Sequence, residues 1–306
     1  IGGGTGNNVA KAAAEAGMET ALIEKGPLGG TCLNRGCNPS KMLIQHASVA
    51  EQVRDADRFH IDATIDDIEF QTIVQSVEET LSDIAEGMEA EYREQDSLTL
   101  YNAEAGFTGP RQIAVDGTEI AGETVLVAAG SRPVVPPIDG LADVDYRTSD
   151  DVLFLPEQPD SMVVLGGGYI AVELGYFFEA MGTDVTIVEK NETLVHREDQ
   201  SVSEAITAVA ADRHEVHTGL VATEASQSGD RIDVTIEATE GDEQRVVSGE
   251  EFLVAVGRQS NADTLDLDRA GIETDDRGLI ETDEYLGTTA ANVWAQGDIA
   301  GNFFYK

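Results

Sequence analysis

The chain has 306 residues, enough for two buried cores and far beyond a peptide-sized or disulfide-stapled fold. Apolar residues make up 41%, with no run near the ~18 consecutive ones that span a bilayer, so no membrane partner is expected. Lys and Arg number 19 against 58 Asp and Glu, a net charge of −39, which sets nucleic acid aside as a partner.

Ile1-Gly2-Gly3-Gly4 reads as a strand running into a glycine turn with most of the strand cut away, which predicts a clipped N-terminus. A helix over Val9 to Ala16 and a strand over Thr20 to Glu24 complete one βαβ unit. The stretch from Gly29 to Lys41 then opens a helix: Pro39 suits a first helical position and Met42-Leu43 begin an apolar face. Phe70, Ile73, Val77, Leu81, Ile84, Met88 and Tyr92 recur at helical spacing and predict a long amphipathic helix with an acidic outer face. Residues 98 to 129 alternate short β-rich stretches with Gly106, Gly109-Pro110 and Gly117, and Pro133, Pro136 and Pro137 mark a connector leading out of the first sheet. The opening pattern then returns, with a strand over Met162 to Leu165, a turn at Gly166-Gly167-Gly168, a helix to about Met181 and a strand over Asp184 to Glu189. The apolar run Phe252 to Arg258 closes this second unit. Ala295 to Ala300 reads as a strand and a turn, and the chain stops at Lys306 without a stop signal, as a fragment would.

Each βαβ unit needs its own parallel sheet, so the expected fold class is α/β, with two doubly wound Rossmann-like nucleotide-binding domains. The expected boundaries are 1–148, 149–262 and a return segment, 263–306, that completes the first domain. The acids are spread among the apolar segments rather than gathered in blocks, which argues against a disordered acidic tail. Self-repulsion on this scale reads as adaptation to a high-salt interior, where the Debye length falls to about 3 Å at 1 M.

A dinucleotide fingerprint needs one glycine for the tight turn, one for approach of backbone to the pyrophosphate and one for close helix packing. The first turn supplies Gly2 and Gly4, has Asn7 at the third position and carries Gly6 one residue early. Glu24, at the end of the next strand, is placed to bind a ribose hydroxyl, with Lys25 beside it. The second turn, Gly166-Gly167-Gly168-Tyr169-Ile170-Ala171, fits G-x-G-x-x-A, and Glu189 ends the strand after it. An acid there favours the 2′-hydroxyl of NAD(H) over the 2′-phosphate of NADP(H), while Lys190, His196 and Arg197 nearby leave NADP(H) open.

Cys32 and Cys37 are the only cysteines, with no signal-peptide pattern and no multi-cysteine framework, so a cytoplasmic location is expected. Cys37 falls at a predicted helix N-terminus, where the helix dipole favours the thiolate that redox chemistry uses. Zinc would want four ligands where only two cysteines exist, so no metal site is expected.

This segment resembles the redox-active stretch of the FAD-dependent pyridine nucleotide-disulfide oxidoreductases, the family of dihydrolipoyl dehydrogenase, glutathione reductase, mycothione reductase and mercuric reductase. Ala128-Ala129-Gly130-Ser131-Arg132-Pro133, Gly166 to Glu173, Ala255-Val256-Gly257-Arg258 and Ala295-Gln296-Gly297-Asp298 follow in the family's order, so the resemblance covers nearly the whole chain. It implies an FAD domain first and an NAD(P) domain second, with electrons passing between nicotinamide, flavin and a Cys32–Cys37 redox disulfide. By the same resemblance Cys37 is the flavin-side thiol and Cys32 the thiol that attacks substrate, Lys41 lies near the flavin and pairs with Glu173, and Tyr169 gates the nicotinamide pocket. Asp298 holds the ribityl chain, and Gly30, Thr31, Ala129, Gly130, Ser131, Gly257, Arg258 and Gly297 complete the cofactor contacts.

Asn7, Ala129 and Asn38 depart from the family pattern. Gly6-Asn7 resembles mycothione reductases, whereas Glu189 points to NAD-linked dihydrolipoyl dehydrogenase. The implied substrate is a small disulfide or dithiol, with mycothione, bis-γ-glutamylcystine and mercuric reductase activities as alternatives. A flavin oxidase and a truncated, non-catalytic nucleotide-binding scaffold stand beside them. The family takes its general base and its homodimer surface from a C-terminal domain that would begin after Lys306. His46, His60, His196, His214 and His217 match no such base, so residues 1 to 306 alone are expected to turn over little or no disulfide.

Overall fold

A computed structural model describes residues 1, 2 and 4–301; Gly3 of the first glycine turn and residues 302–306, the end of the predicted return segment, lie outside the described residues. The chain forms two compact units: the first joins Ile1–Asn38, Glu79–Arg132 and Arg258–Lys306, and the second joins Pro39–Glu78 and Pro133–Gly257.

In the first unit Thr20–Ile23 pairs parallel with Leu98–Tyr101, and Val125–Val127 pairs parallel with Val293–Ala295. Ile1 and Gly2 stitch these pairs together. Gly2 N donates to Ile23 O at 2.7 Å, the Ile1 amine to Leu126 O at 2.7 Å, and Ala128 N to Ile1 O at 2.9 Å. The strand end read from Ile1 thus lies between the two parallel strand pairs, hydrogen-bonded to both. The helix that follows spans Gly4–Glu15, beginning well before the predicted Val9. Thr5-Gly6-Asn7 has no apolar periodicity to announce it, and packing against the sheet overrides weak propensity there. Ala10, Ala14, Leu22, Leu28, Tyr92 and Leu98 form one buried cluster. A second gathers Phe107, Val127, Ala295 and Ile299, each fully buried, beside an antiparallel sheet of Ala105–Gly109, Gln112–Val115 and Thr118–Ala121.

The second unit is built on a five-stranded parallel sheet in the order Glu215–Thr218, Asp184–Glu189, Ser161–Leu165, Glu251–Val254, Tyr146–Arg147. Its central strands are apolar almost throughout, as strands buried on both faces must be. Helices Tyr169–Met181 and Gln200–Ala211 follow two of the strands, and an antiparallel sheet of Leu220–Ser228, Arg231–Ala238 and Gln244–Gly249 shares the core of Val163, Val188, Val234, Ile236 and Phe252. Phe70 packs on Phe177 and Phe178 with ring centroids 5.9 and 6.1 Å apart, an arrangement that buries three aromatic rings together.

The long predicted helix is present as Phe70–Arg93. Its buried stripe runs through Phe70, Val74, Val77, Leu81, Ala85 and Tyr92, while Ile84 is 44% exposed. The stripe keeps to a 3.6-residue period, with the smaller Val74 and Ala85 buried in place of the predicted Ile73 and Ile84.

Candidate functional site

After the strand Thr20–Ile23, Gly29 turns left-handed at φ 100° and starts a six-residue helix, Gly30–Arg35, that the sequence had not announced. Asn34 fixes this tight segment by donating from Nδ2 to Leu28 O at 2.9 Å and Gly30 O at 3.0 Å. Gly36 breaks it, and Cys37 becomes the first residue of the 18-residue helix Cys37–Arg54. Gly30, Thr31, Cys32 and Cys37 are half-buried, and both cysteines are free thiols. The Cys32 side chain is hydrogen-bonded to that of Cys37 and lies 3.9 Å from Asn38 Oδ1. Burial first, then the hydrogen bond to Cys37 and its charge, push the Cys32 thiol up to about 11.

One turn beyond Cys37, Lys41 Nζ is ion-paired to Glu173 Oε1, which projects from the helix Tyr169–Met181. The same two helices are joined again near their other ends. Arg54 Nη1 donates to Ala180 O at 2.7 Å, and Arg213 bridges Glu51 Oε2 at 2.7 Å and Glu179 Oε2, with its Nε at 3.0 Å, while stacking 5.1 Å over the Tyr176 ring. Contacts at both ends fix the register in which Lys41 meets Glu173. Tyr169, 39% exposed, is the first residue of its helix.

In the first glycine turn, Gly2 has φ 61°, and a Cβ there would lie 3.4 Å from Glu24 Oε2. The Glu24 carboxylate thus sits over the turn, with its other oxygen accepting from Gly26 N at 2.9 Å. A Cβ on Gly6 would come within 3.0 Å of Ala128 Cβ, so the close approach expected of a third glycine falls to Gly6. Asn7 is fully buried, and its carbonyl accepts from Tyr92 Oη at 3.3 Å. Gly4 opens a helix without an acidic residue in its first turn, which suits an incoming anion. Lys25 points to Glu104 at 3.4 Å on the surface.

The first unit also gathers a polar cluster around Ser131. Its hydroxyl donates to Asp298 Oδ2 at 2.7 Å and accepts from Arg258 Nε at 2.9 Å, and Arg258 Nη2 reaches Ser131 O at 2.9 Å. Asp298, 6% exposed, follows the left-handed Gly297. Ala129 and Gly130 offer their carbonyls to Asn261, from Nδ2 at 2.8 Å and from N at 3.1 Å. Asn261 escaped the sequence reading, because a lone Asn just outside a recognised segment carries no spacing signal.

The second turn repeats the design with a different acid environment. Gly166 has φ 113°, and a Cβ there would sit 2.4 Å from Ala255 O. Gly168 caps the helix start without a side-chain hydrogen bond, followed by the half-buried Ile170. Glu189 is only 5% exposed, with Oε1 accepting from Asn191 N at 2.8 Å and from Asn191 Nδ2. Lys190, His196 and Arg197 are exposed, and Gly257 lies at φ 142°. Among the described residues, no group of three or more His, Cys, Asp or Glu is placed to hold a metal ion, and no helix is long and apolar enough to cross a membrane.

Comparison with known proteins places this geometry. The family model for pyridine nucleotide-disulphide oxidoreductases matches residues 1–304. Mycothione reductase of Mycobacterium tuberculosis is 36% identical over 313 residues, covering 100% of this chain and 66% of the relative. Dihydrolipoyl dehydrogenase of Halobacterium salinarum is 34% identical, covering 98% of this chain and 65% of the relative. The HOCl-induced flavoprotein disulfide reductase RclA from Escherichia coli superposes with a TM-score of 0.86 at 29% identity, covering 99% of this chain and 66% of that one. The chain therefore spans about two thirds of the length of these relatives.

Proposed function

The chain belongs to the pyridine nucleotide-disulphide oxidoreductase family, and from that premise we propose that the whole protein is an FAD-dependent NAD(P)H:disulfide oxidoreductase acting on a small disulfide. The observation that carries the reading is the Cys32–Cys37 pair: two thiols in mutual hydrogen bond, one of them opening a long helix whose next turn presents a cation.

The first unit's residues suit FAD. The helix start at Gly4 would take a pyrophosphate, Glu24 over Gly2 a ribose, and the buried Asp298, oriented by Ser131, the polyol chain. In the second unit Gly166, Gly168 and Glu189 form the corresponding nucleotide site, with NAD(H) favoured by the acid. Bound FAD supplies two-electron transfer between a nicotinamide and a disulfide. Lys41, held by Glu173, brings positive charge to the first turn of the Cys37 helix, where negative charge develops on reduction.

Substrate reduction is thiol–disulfide exchange. Cys32 Sγ gives up its proton and attacks the substrate disulfide, forming a mixed disulfide and expelling one thiolate. Cys37 Sγ then attacks Cys32 Sγ, expels the second thiolate and closes the Cys32–Cys37 disulfide. The net reaction converts NAD(P)H, a proton and RSSR into NAD(P)⁺ and two RSH. A Cys32 thiol pushed up to about 11 is a poor nucleophile near neutral pH, so this step calls for a general base. The unit that holds the cysteines contains none of the five histidines.

Among substrates, Gly6-Asn7 supports a low-molecular-weight disulfide of the mycothione type. The alternative is dihydrolipoamide, for which the buried Glu189 and its preference for NAD(H) speak. The cysteine assignment is tested by differential alkylation of the full-length protein under anaerobic conditions. Without reductant neither cysteine should label, and after NADH both should. Equal labelling in the two states would remove the cysteines from the electron path.

A further inference from the structure

After Glu189, the acid that ends the strand following the second glycine turn, comes a loop, residues 190–196, built more tightly than a connector requires. Val195 N donates to Gly167 O at 2.7 Å, and Leu194 beneath it is fully buried. Ser203 Oγ donates to Val195 O at 3.0 Å, and Leu194 N donates to Thr207 Oγ1 at 2.9 Å, bolting the loop to the helix Gln200–Ala211. Val195 has φ 44°, a left-handed conformation that a β-branched residue adopts only where its surroundings impose it. Strain of that kind concentrates where a loop has a task beyond linking two elements.

The loop's inner residue is Asn191. Its N–H donates to Glu189 Oε1 at 2.8 Å, its carbonyl accepts from Gly219 N at 3.0 Å, and its Nδ2 contacts both Glu189 Oε1 and, at 3.1 Å, His196 Nδ1. This environment selects one amide orientation. Reversing the amide would set Oδ1 against the Glu189 carboxylate, so Nδ2 faces the acid, with His196 Nδ1 3.1 Å away. The other Glu189 oxygen lies over Gly167, 2.8 Å from where a Cβ would stand. A side chain only 5% exposed needs hydrogen-bond donors to satisfy its buried oxygens and hold it in place, and Asn191 supplies two to one oxygen.

We infer that Asn191 is a specificity-determining residue: it pins Glu189 against the second glycine turn, so that the site accepts a nucleotide with a free 2′-hydroxyl and rejects one with a 2′-phosphate. This rests on the reading of the second unit as the nicotinamide-nucleotide site. Asn191 touches the acid and acts through it, which makes it a positioning residue. His196 holds the far side of the amide and has a smaller share in the same task.

The test is equilibrium binding of NADH and of NADPH, measured separately, to the FAD-loaded full-length protein in high salt. Wild type, Asn191→Ala and His196→Leu are compared, with thermal unfolding recorded for each. Asn191→Ala should weaken NADH and leave NADPH equal or tighter, lowering the NADH-over-NADPH ratio on the order of tenfold, the scale of one charge-assisted hydrogen bond. His196→Leu should shift the ratio the same way by less, and it carries the test if Asn191→Ala does not fold. An unchanged ratio overturns the inference, as does equal weakening of both nucleotides, the signature of a merely structural residue. Wild type that prefers NADPH defeats the NAD(H) reading and the inference with it, whereas wild type that prefers NADH with an indifferent Asn191→Ala defeats the inference alone.

Discussion

The two glycine turns share one sequence grammar and use it for different physical ends. At Gly4 a Cβ would meet Gly29 O at 2.8 Å, so glycine in the first turn is demanded by the protein's own backbone. The matching glycine of the second turn, Gly168, has no atom within 4 Å of its Cβ position and an ordinary φ of −74°. Glycine there leaves room for something outside the fold. The acids differ as well: Glu24 is half-buried and holds one backbone N–H, whereas Glu189 is buried and gripped by a neighbouring residue. Matching spacing therefore does not mean matching constraint, and each glycine has to be asked what its missing Cβ would strike.

Substitutions can break that comparison in a graded way. Gly166→Ala should have the largest effect, because its Cβ would lie 2.4 Å from Ala255 O at a left-handed φ of 113°. The loss should exceed about 3 kcal/mol and abolish a cooperative melt of the second unit, read by thermal unfolding. Gly6→Ala needs Ala128 to give way by only a few tenths of an ångström from 3.0 Å, so the cost should be about 1–2 kcal/mol. Gly168→Ala should leave the melting temperature unchanged yet weaken nicotinamide-nucleotide binding, since the new methyl occupies space the pyrophosphate needs. If Gly168→Ala destabilised the fold instead, the contrast between the two turns would fail.

The cysteine pair adds a pH test. A thiol raised from 9.0 to about 11 holds its proton more tightly in the folded state than in the unfolded one. Its contribution is fully present below pH 9 and is lost as pH rises towards 11, so the reduced protein should lose stability across that window while the oxidised form, with no thiol to titrate, does not. Parallel pH–stability profiles in the two redox states would contradict a raised Cys32 thiol.

Much of this was legible in the sequence for definite reasons. Two βαβ units announce themselves through apolar strands that feed glycine turns, and Phe70, Val77, Leu81 and Tyr92 mark one helix face. The segment from Gly29 to Lys41 stands out because it holds the only two cysteines of the chain, and its redox role is what the family resemblance implies. Contacts between residues distant in the chain stayed hidden. Nothing local to Arg213 predicts that it bridges Glu51 and Glu179, nor does periodicity reveal that Gly6 takes over the packing its pattern gives to residue 7. The strained Val195 and the grip of Asn191 on Glu189 follow from how a loop closes over a turn, which spacing does not encode.

The central claim is that the cysteines exchange electrons with a flavin. Its most direct test is anaerobic titration of the full-length protein in high salt, with NADH as reductant and absorbance followed from the flavin bands to long wavelength. A long-wavelength charge-transfer band should appear with the first hydride equivalent and be lost in Cys37→Ser. Direct bleaching of the flavin in the wild type, with no such band, would contradict that claim.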